Sequence, residues 1–345
     1  MAAPVATPLV WTGQGVRIVE VARALRELRA ASGDERASTL TSVMNLVAFA
    51  PDEDSAREVE AVADALRDFH PSRVVIVVPA GGADRIDARA EVISSARRGS
   101  DRTLVVEQVI LTLRGGIAAH AGSAVIPLLR SQLPTFLWWP TAPDPSSPTF
   151  VDLLRVSDRL VTETGRTLRG RAALECLATV TAFSSTPVTD LAWAVLTPWR
   201  QVIATSLRGA PLRRLRVGAA TATIATPAGE PSLEALLLAG WLADVVGDHI
   251  DVRFAVADGD GDIQGVTLLA AETCVLELAR DDGPSTVTMR TTIGGARSLP
   301  IPPTHRTELL AGELDLRGHD RPLERALTHA CALAAAAVQG IASSD

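Results

Sequence analysis

The chain has 345 residues, a formal net charge of −7 at pH 7, and 33 basic residues that are all arginine. Hydrophobic residues make up 47% of it and charged residues 21%, a balance that excludes a disordered chain and provides for a large core. The acidic balance argues against a general nucleic-acid binder, which is basic over at least one domain. The length predicts roughly two domains.

The sequence favours a cytoplasmic protein in a reducing compartment. Its start lacks the basic segment and long apolar run of a signal peptide. The longest apolar runs, 235–246 and 330–338, are shorter than the roughly 20 residues that span a membrane. Cys176, Cys274 and Cys331 are widely spaced and odd in number, so they predict neither a disulfide framework nor a CxxC pair.

The first half of the chain has the pattern of an α/β domain. Apolar residues at helical spacing predict an amphipathic helix over 15–31. A strand over 40–51, a helix over 52–69 and a β-branched strand over 73–78 follow in the order of a parallel βαβ unit. The remaining predicted elements are a strand over 102–113 with antiparallel neighbours, a helix over 118–130, a strand over 132–140, a short helix over 150–156 and a strand over 158–164.

The second half has the pattern of an α+β domain. Short strands with turns between them, at a spacing of about 8 to 12 residues, predict an antiparallel meander near the C-terminus. Pro198 lies where a helix would begin, after Thr197 as its cap. The predicted helices cover 169–183, 197–207, 233–246 and 323–341, and the predicted strands cover 212–226, 250–256, 263–269, 273–278 and 285–292.

The predicted architecture is therefore α/β plus α+β. An N-terminal helix and loop occupy 1–39, and an α/β domain with a mixed, largely buried sheet occupies 40–164. A C-terminal α+β domain with an antiparallel meander occupies 165–345.

No sequence pattern assembles a catalytic or metal site. The glycine turn at 78–84 lacks both the GxGxxG and the Walker spacing. After the aspartates of 258–262, Ile263 and Leu269 stand where a calcium loop needs Gly and Glu. The six histidines show no HxxxH or HExxH spacing. We expect no catalytic residue, no metal ligand, no cofactor and no enzymatic activity.

Two adjacent tryptophans mark the run QLPTFLWWP at 132–140. In a strand, neighbouring side chains point to opposite faces. Two interpretations follow for Trp138 and Trp139. Either the strand is covered on both faces and both indoles are core, or one indole is presented to a partner or ligand.

Three further motifs combine arginine, tryptophan or histidine: HPSR at 70–73, DLAW at 190–193 and TPWR at 197–200. Arginine and tryptophan are enriched at the centres of protein interfaces. Each motif could equally serve as a cap, a salt bridge or part of the core. The candidate partner-binding residues are His70, Arg73, Trp138, Trp139, Trp193, Trp199 and Arg200.

Taken in order, these motifs resemble a known family. MNLVAF, HPSR, VEQV, PLLRSQLPTFLWWP, DRLV, DLAWAVLTPWR and LLLAGWLA are similar to the glucose-6-phosphate dehydrogenase assembly protein family, OpcA, over roughly residues 40–250 and more loosely to about 330. The arginine-only, alanine-rich composition favours the actinobacterial branch. Many members have Cys before the Glu of VEQV, where this chain has Val106, so a redox role at that position is without support.

The resemblance implies a non-catalytic partner that binds glucose-6-phosphate dehydrogenase, the first enzyme of the oxidative pentose phosphate pathway, and promotes its active oligomer. The acidic balance and the short apolar runs predict no nucleic-acid and no membrane partner. One alternative is a sensor or enzyme that binds a sugar phosphate or nucleotide in a cleft between the two domains. A further one is a structural homo-oligomer that uses the tryptophan surface for self-association.

Overall fold

The computed structural model describes residues 8–32, 42–96, 103–259, 261–281, 285–292, 294–316 and 318–342. They form two compact units, each with its own sheet and helices. Unit 1 comprises the described parts of Met1–Thr162, Ser184–Val188 and Arg306–Gly318. Unit 2 comprises those of Glu163–Phe183, Thr189–His305 and His319–Asp345. The predicted fold class, α/β followed by α+β, is confirmed.

Unit 1 is built on a mixed sheet that has eight strands within the described residues. The strands are β1 (Leu9–Gly13), β2 (Met44–Phe49), β3 (Ser72–Ala80), β4 (Arg85–Ala96), β5 (Thr103–Arg114), β6 (Thr135–Trp139), β7 (Arg159–Thr162) and β8 (Val188–Asp190). Of β8, only Val188 is assigned to unit 1. Their order in the sheet is β1-β4-β5-β3-β2-β6-β7-β8. The pairs from β5 to β7 are parallel, and β4 is antiparallel to both β5 and β1. The parallel pairing of β2 with β3 confirms the predicted βαβ unit.

The central strands of unit 1 are buried along their whole length and mostly apolar, because both faces of the sheet are covered. Every residue of β2, β6 and β7 is buried. The unit 1 helices are α1 (Ile18–Ala31), α2 (Glu53–Ala65), α3 (Ala121–Val125), α4 (Pro148–Arg155) and α10 (Arg306–Asp315).

Two of these helices begin with the capping chemistry that their sequence provides. The side chain of Asp52 accepts a hydrogen bond from the Ser55 amide at the start of α2, where Glu53 and Asp54 also favour the helix dipole. Ser147 caps α4 and is followed by proline in the first turn.

Unit 2 contains a six-stranded sheet in the order β10-β9-β11-β12-β13-β14. The strands are β9 (Ala220–Thr226), β10 (Ile250–Val256), β11 (Gly265–Ala270), β12 (Thr273–Arg280), β13 (Thr286–Thr291) and β14 (Gly294–Pro300). The antiparallel run from β11 to β14 confirms the predicted meander. The unit 2 helices are α5 (Gly170–Phe183), α6 (Leu191–Val195), α7 (Thr197–Ser206), α8 (Ala210–Val217), α9 (Leu233–Val246) and α11 (Arg321–Ala342).

Some elements differ from the sequence prediction. The predicted helix over 118–130 is reduced to α3 between two 3₁₀ turns, and Pro127, which lacks an N–H donor, lies in the second turn. The predicted strand over 212–226 begins instead as α8, whose leucines repeat at a helical spacing, and only its second part is β9. Strand β10, predicted as part of the meander, pairs in parallel with β9 across α9. Strand β1 was not predicted.

Helix α9 packs closely against α11 in the core of unit 2. Gly240 of α9 lies at the point of contact: a Cβ atom there would overlap the carbonyl oxygen of Ala326 and lie 2.7 Å from the amide nitrogen and 2.8 Å from the Cβ of Ala330. Gly240 therefore permits a close contact between α9 and α11, and any larger side chain at this position would push the two helices apart. None of the helices within the described residues is long and apolar enough to cross a membrane.

We predict that Gly240→Ala destabilises the protein although alanine favours helices. Overpacking against the α11 backbone costs up to about 3 kcal/mol, against a gain in helix propensity of about 1 kcal/mol, which leaves a net loss of about 2 kcal/mol. The control is Gly312→Ala in α10, where an added Cβ meets nothing within 4 Å and should stabilise by up to about 1 kcal/mol. Urea denaturation of both variants checks the opposite signs, and equal effects would contradict the packing argument.

Candidate functional site

The two adjacent tryptophans of β6 are both buried, with exposed fractions of 0% for Trp138 and 4% for Trp139. The strand is thus covered on both faces, the first of the two sequence interpretations. The indole of Trp139 stacks on Phe49 with 3.6 Å between ring centroids and 5° between ring planes. Phe150 meets the same indole edge-on, with 5.0 Å between centroids. This aromatic group lies at the carboxyl ends of β2 and β6.

Trp138 is held by the first residue of α10. The guanidinium carbon of Arg306 lies 5.0 Å from the Trp138 ring centroid, within the range of a cation–π contact. The same guanidinium forms an ion pair with Glu58 of α2. Arg306 therefore links α10 to β6 and α2.

The other end of α10 makes two further contacts in unit 1. A ring nitrogen of His70, Nε2, lies 2.9 Å from the carbonyl oxygen of Ala311 and 3.7 Å from the Asp315 carboxylate. Glu313 forms an ion pair at 3.5 Å with Arg159 of β7, and both side chains are buried. Because α10 contacts α2, β6, β7 and the segment that precedes β3, it is the element that joins His70 to Trp138.

Arg73 lies in a different cluster from His70 although HPSR contains both. Its Nε donates to Oε2 of Glu107 over 2.6 Å, and its Nη1 donates to the Leu128 carbonyl oxygen over 2.8 Å. Glu107, 1% exposed in the interior of β5, also accepts from Arg130 at 3.0 Å and from Arg29 of α1 at 3.4 Å.

The charges of this cluster determine how its members ionise. Burial raises the pKa of Glu107, but the guanidinium groups of Arg73 and Arg130 outweigh it and hold that pKa below its ordinary value. Burial lowers the pKa of Arg73, and Glu107 opposes that effect. We call this group of Glu107, Arg29, Arg73 and Arg130 the Glu107 cluster.

In unit 2, Trp193 and Arg200 form one contact group. The Trp193 Nε1 donates to Asp320 over 2.9 Å, and the guanidinium carbon of Arg200 lies 3.6 Å from the Trp193 ring centroid. Arg200 also donates to the hydroxyl of Thr197 over 2.9 Å. Both tryptophans of the motifs DLAW and TPWR are buried, and Arg280 lies 5.4 Å from the ring centroid of Trp199.

Asp190, the first residue of DLAW, acts as a cap. One carboxylate oxygen accepts from the Ala192 amide at the start of α6, and the other accepts from the Thr164 amide, each over 2.8 Å. Within the described residues, no group of three or more His, Cys, Asp or Glu side chains is arranged to hold a metal ion.

Two family models match the chain in succession. Residues 63–179 match the glucose-6-phosphate dehydrogenase subunit N-terminal domain, and residues 186–327 match the C-terminal domain of the same subunit. The chain belongs to the OpcA family. The resemblance derived from the sequence motifs is thereby confirmed at the level of the family.

Two individual proteins are similar to this OpcA-family chain. A "Putative OxPP cycle protein OpcA" of Nostoc punctiforme is 28% identical over 219 residues, which cover 61% of this chain and 45% of the relative. The match thus spans about half the length of that relative. A solved dehydrogenase structure from Chromobacterium violaceum covers 88% of this chain and 98% of its own at 10% identity, with a TM-score of 0.41, too low to carry an argument.

The structure assigns the seven predicted residues of this OpcA-family chain to separate groups. Trp138 and Trp139 share β6, His70 contacts the end of α10, Arg73 belongs to the Glu107 cluster, and Trp193, Trp199 and Arg200 lie in α6 and α7. All four tryptophans are buried, so their role in this structure is to pack the core beneath the neighbouring surface residues. Direct contact of these seven residues with a partner stays a prediction.

Sequence reasoning missed the residues that hold these side chains in place. Arg306, Glu313 and Asp320 contact side chains that lie more than 120 residues earlier in the chain. No local sequence pattern predicts a pairing over that distance. Glu107 did carry a signal, since a glutamate inside an apolar strand needs a buried cation.

Glu234 is a partly buried acid in the first turn of α9. Burial, with a further contribution from the nearby charges of Asp262 and Asp190, raises its pKa from 4.5 to about 7. The Glu234 carboxyl is therefore about half ionised at neutral pH, in contrast to Glu107.

We predict that the aromatic stack on Trp139 is energetically coupled. Trp139→Leu and Phe49→Leu each remove the stack, so the double variant should lose about 0.5 to 1.5 kcal/mol less than the sum of the two single losses. The free energy of unfolding measured by urea denaturation tests this. Combining Trp139→Leu with Trp199→Leu of unit 2 is the control and should be additive. Additivity in both cycles would rule out a stabilising stack.

We predict that Glu234 destabilises the protein as the pH rises. Below pH 4.5 the group is protonated in both states; above that value the unfolded chain ionises first, and stability falls until the pH has passed about 7. The difference between these pKa values corresponds to roughly 3 kcal/mol. Glu234→Gln should therefore match the parent near pH 4.5 and exceed its stability by up to that amount at pH 8.

Thermal denaturation across pH 4 to 8 measures this effect of Glu234. The control is Glu272→Gln, which replaces an exposed glutamate in the turn between β11 and β12. Parallel pH curves for the parent and Glu234→Gln would contradict the prediction.

Proposed function

We propose that this chain is a non-catalytic assembly factor that binds glucose-6-phosphate dehydrogenase and promotes its active oligomer in the oxidative pentose phosphate pathway. The observation that carries the proposal is the succession of two family models, described as domains of a glucose-6-phosphate dehydrogenase subunit, over residues 63–179 and 186–327. The Nostoc punctiforme relative, named as a putative OxPP cycle protein, supports the same pathway. The chain acts in the cytoplasm, as an activator with no turnover of its own.

The activation follows from binding equilibria. A partner that binds the active oligomer more tightly than the inactive form shifts the population toward the active form by the difference in its two affinities. A preference of about 2 to 3 kcal/mol changes the population ratio roughly 30- to 150-fold. No catalytic residue of the chain is needed for such an effect.

The proposal assigns one contact with the dehydrogenase to the surface around His70. Phe69 and Leu316, which are 52% and 43% exposed, are the chain neighbours of His70 and Asp315. We call Phe69, His70, Asp315 and Leu316 the His70 corner. Support comes from its composition. Phe69 directly precedes His70, and Leu316 directly follows Asp315; the His70 ring and the Asp315 carboxylate lie 3.7 Å apart. The His70 ring is fixed by the Ala311 carbonyl group, and apolar anchors at a rigid position suit an interface.

The assembly role is tested with the purified chain and the dehydrogenase of the same organism. We expect co-elution at micromolar concentration, a change in the oligomer size of the dehydrogenase and a saturable change in its kcat/KM. The chain alone should reduce no NADP. Unchanged kinetics together with separate elution would overturn the proposal.

We predict that Phe69→Glu weakens the association at least about 30-fold, since losing an apolar anchor at an interface costs about 2 kcal/mol or more. The matched control is Phe183→Glu at the end of α5, an equal substitution at a side chain that is 51% exposed. Affinity is measured by titrating each variant against the dehydrogenase. If both variants activate the enzyme like the parent, the contact lies elsewhere; if only the control fails, the His70 corner is not the interface.

A further inference from the structure

A small cavity of about 210 Å³ lies in unit 1 between α1 and the Glu107 cluster. Its polar lining comes from Arg26 and Arg29 of α1, Arg73 of β3 and Glu107 of β5. Leu25 and Pro127 are among its apolar lining residues. The cavity is formed by side chains of α1, two strands of the sheet and the 3₁₀ turn Ile126–Leu128.

The lining carries more positive charge than its carboxylate neutralises. Three guanidinium groups face one carboxylate, so the cavity has a net charge of about +2. Arg73 and Arg130 both bind Oε2 of Glu107, whereas Oε1 is bound by Arg29 at 3.4 Å. The donors of Arg29 are therefore only partly used.

Two further observations indicate that the cavity lining and the Glu107 cluster have hydrogen-bond donors without an acceptor. Arg26 is exposed at the cavity and forms no ion pair with any residue in the described ranges. The Nε atom of Arg130, a member of the Glu107 cluster that does not line the cavity, is buried and finds no acceptor among the described residues. A buried donor without an acceptor costs free energy, so a cluster built only to neutralise Glu107 would need fewer arginines.

We propose that this cavity binds a small phosphoryl dianion, either inorganic phosphate or a short phosphate monoester, through Arg26, Arg29 and Arg73. Guanidinium groups match phosphate oxygens with paired N–H donors. A phosphate monoester at neutral pH carries a charge close to −2, which would neutralise the net charge of about +2 on the lining. The volume is below the roughly 300 to 1,000 Å³ of drug-sized ligand sites, so a dinucleotide does not fit.

The bound anion would tie α1 to the sheet. Arg26 and Arg29 belong to the helix, whereas Arg73 belongs to β3, and the same phosphoryl group accepts hydrogen bonds from both elements. A ligand that binds only the folded state stabilises it in proportion to the logarithm of its concentration above the Kd. This binding is independent of the assembly role, because it takes place within unit 1 of the chain alone.

The test uses the full chain and two probes, inorganic phosphate and glycerol 3-phosphate, with sodium chloride at matched ionic strength as the reference. Isothermal titration should show one saturable site for at least one probe, and the melting temperature should rise with the concentration of that probe. Equal affinity for both probes supports a site for the phosphoryl group alone, and tighter binding of the ester supports a metabolite site. Binding of both probes weaker than about 10 mM, or a melting temperature that follows chloride equally, overturns the proposal.

Three single variants identify the cavity. Arg26→Gln and Arg29→Gln should each weaken phosphate binding about tenfold, the loss expected for one charge-assisted hydrogen bond. Arg23→Gln is the matched control, with the same change of charge on the exposed side of the same helix and no place in the cavity lining. It should change the affinity less than about twofold.

The folding of each variant is checked by its melting temperature without ligand. Arg26→Gln removes no hydrogen bond or ion pair with a described residue, so its melting temperature should equal that of the parent. If Arg23→Gln weakens binding as much as Arg26→Gln, the effect is one of general charge and the proposed site is wrong. If Arg26→Gln and Arg29→Gln fold normally and bind like the parent, the site is also wrong.

Discussion

Both faces of the central strands of unit 1 must be shielded from water. This constraint determines where the helices of unit 1 pack and why the tryptophans of β6 are buried. Strands β2, β6 and β7 are buried at every residue, so the parallel sheet is stable only when helices cover both of its faces. The two tryptophans of β6 then become core residues on opposite faces. Each has an aromatic or cationic neighbour that completes its packing, Phe49 for Trp139 and Arg306 for Trp138.

Helix α10 satisfies this constraint from a distant part of the sequence. It meets α2 and β6 through Arg306 and β7 through Glu313, and its Ala311 carbonyl group contacts His70, which precedes β3. Cation–π pairs recur in unit 2, where Arg200 and Arg280 lie over Trp193 and Trp199. The arginine–tryptophan motifs are thus anchors within each unit. The surface that we propose for recognition of another protein is formed by exposed neighbours such as Phe69 and Leu316.

Two buried glutamates show how the surroundings of an acid decide its charge. Glu107 is surrounded by arginines, whose charges outweigh the cost of burial and keep the carboxylate ionised. Glu234 is partly buried near other acids, and its pKa rises to about 7. Because the chain has no lysine, the charges that keep Glu107 ionised come from guanidinium groups, each of which has a fixed charge and several N–H donors.

The sequence by itself determined the fold class, most elements and the family. The β-branched runs and helical repeats of the first half specified a buried parallel sheet, and the short, regularly spaced strands near the C-terminus specified a meander. These are local signals, set by the period of side chains along a strand or helix. The same local signals gave the wrong prediction for α8, because the leucines and arginines at residues 212–216 are compatible with both a helix and a strand. They did not predict β1, because five residues are too few to show a clear period.

Only the tertiary structure decided which residues act together. The described residues of 306–318 follow the meander in the sequence but pack in unit 1. Within the motif HPSR, His70 contacts α10 whereas Arg73 belongs to the Glu107 cluster. The cavity beside Glu107 joins residues of α1, β3 and β5 that are tens of residues apart. A local sequence pattern cannot specify such groupings, because a long-range contact depends on how whole elements pack against one another. The periodicity of apolar residues shows only which face of a single helix or strand is buried.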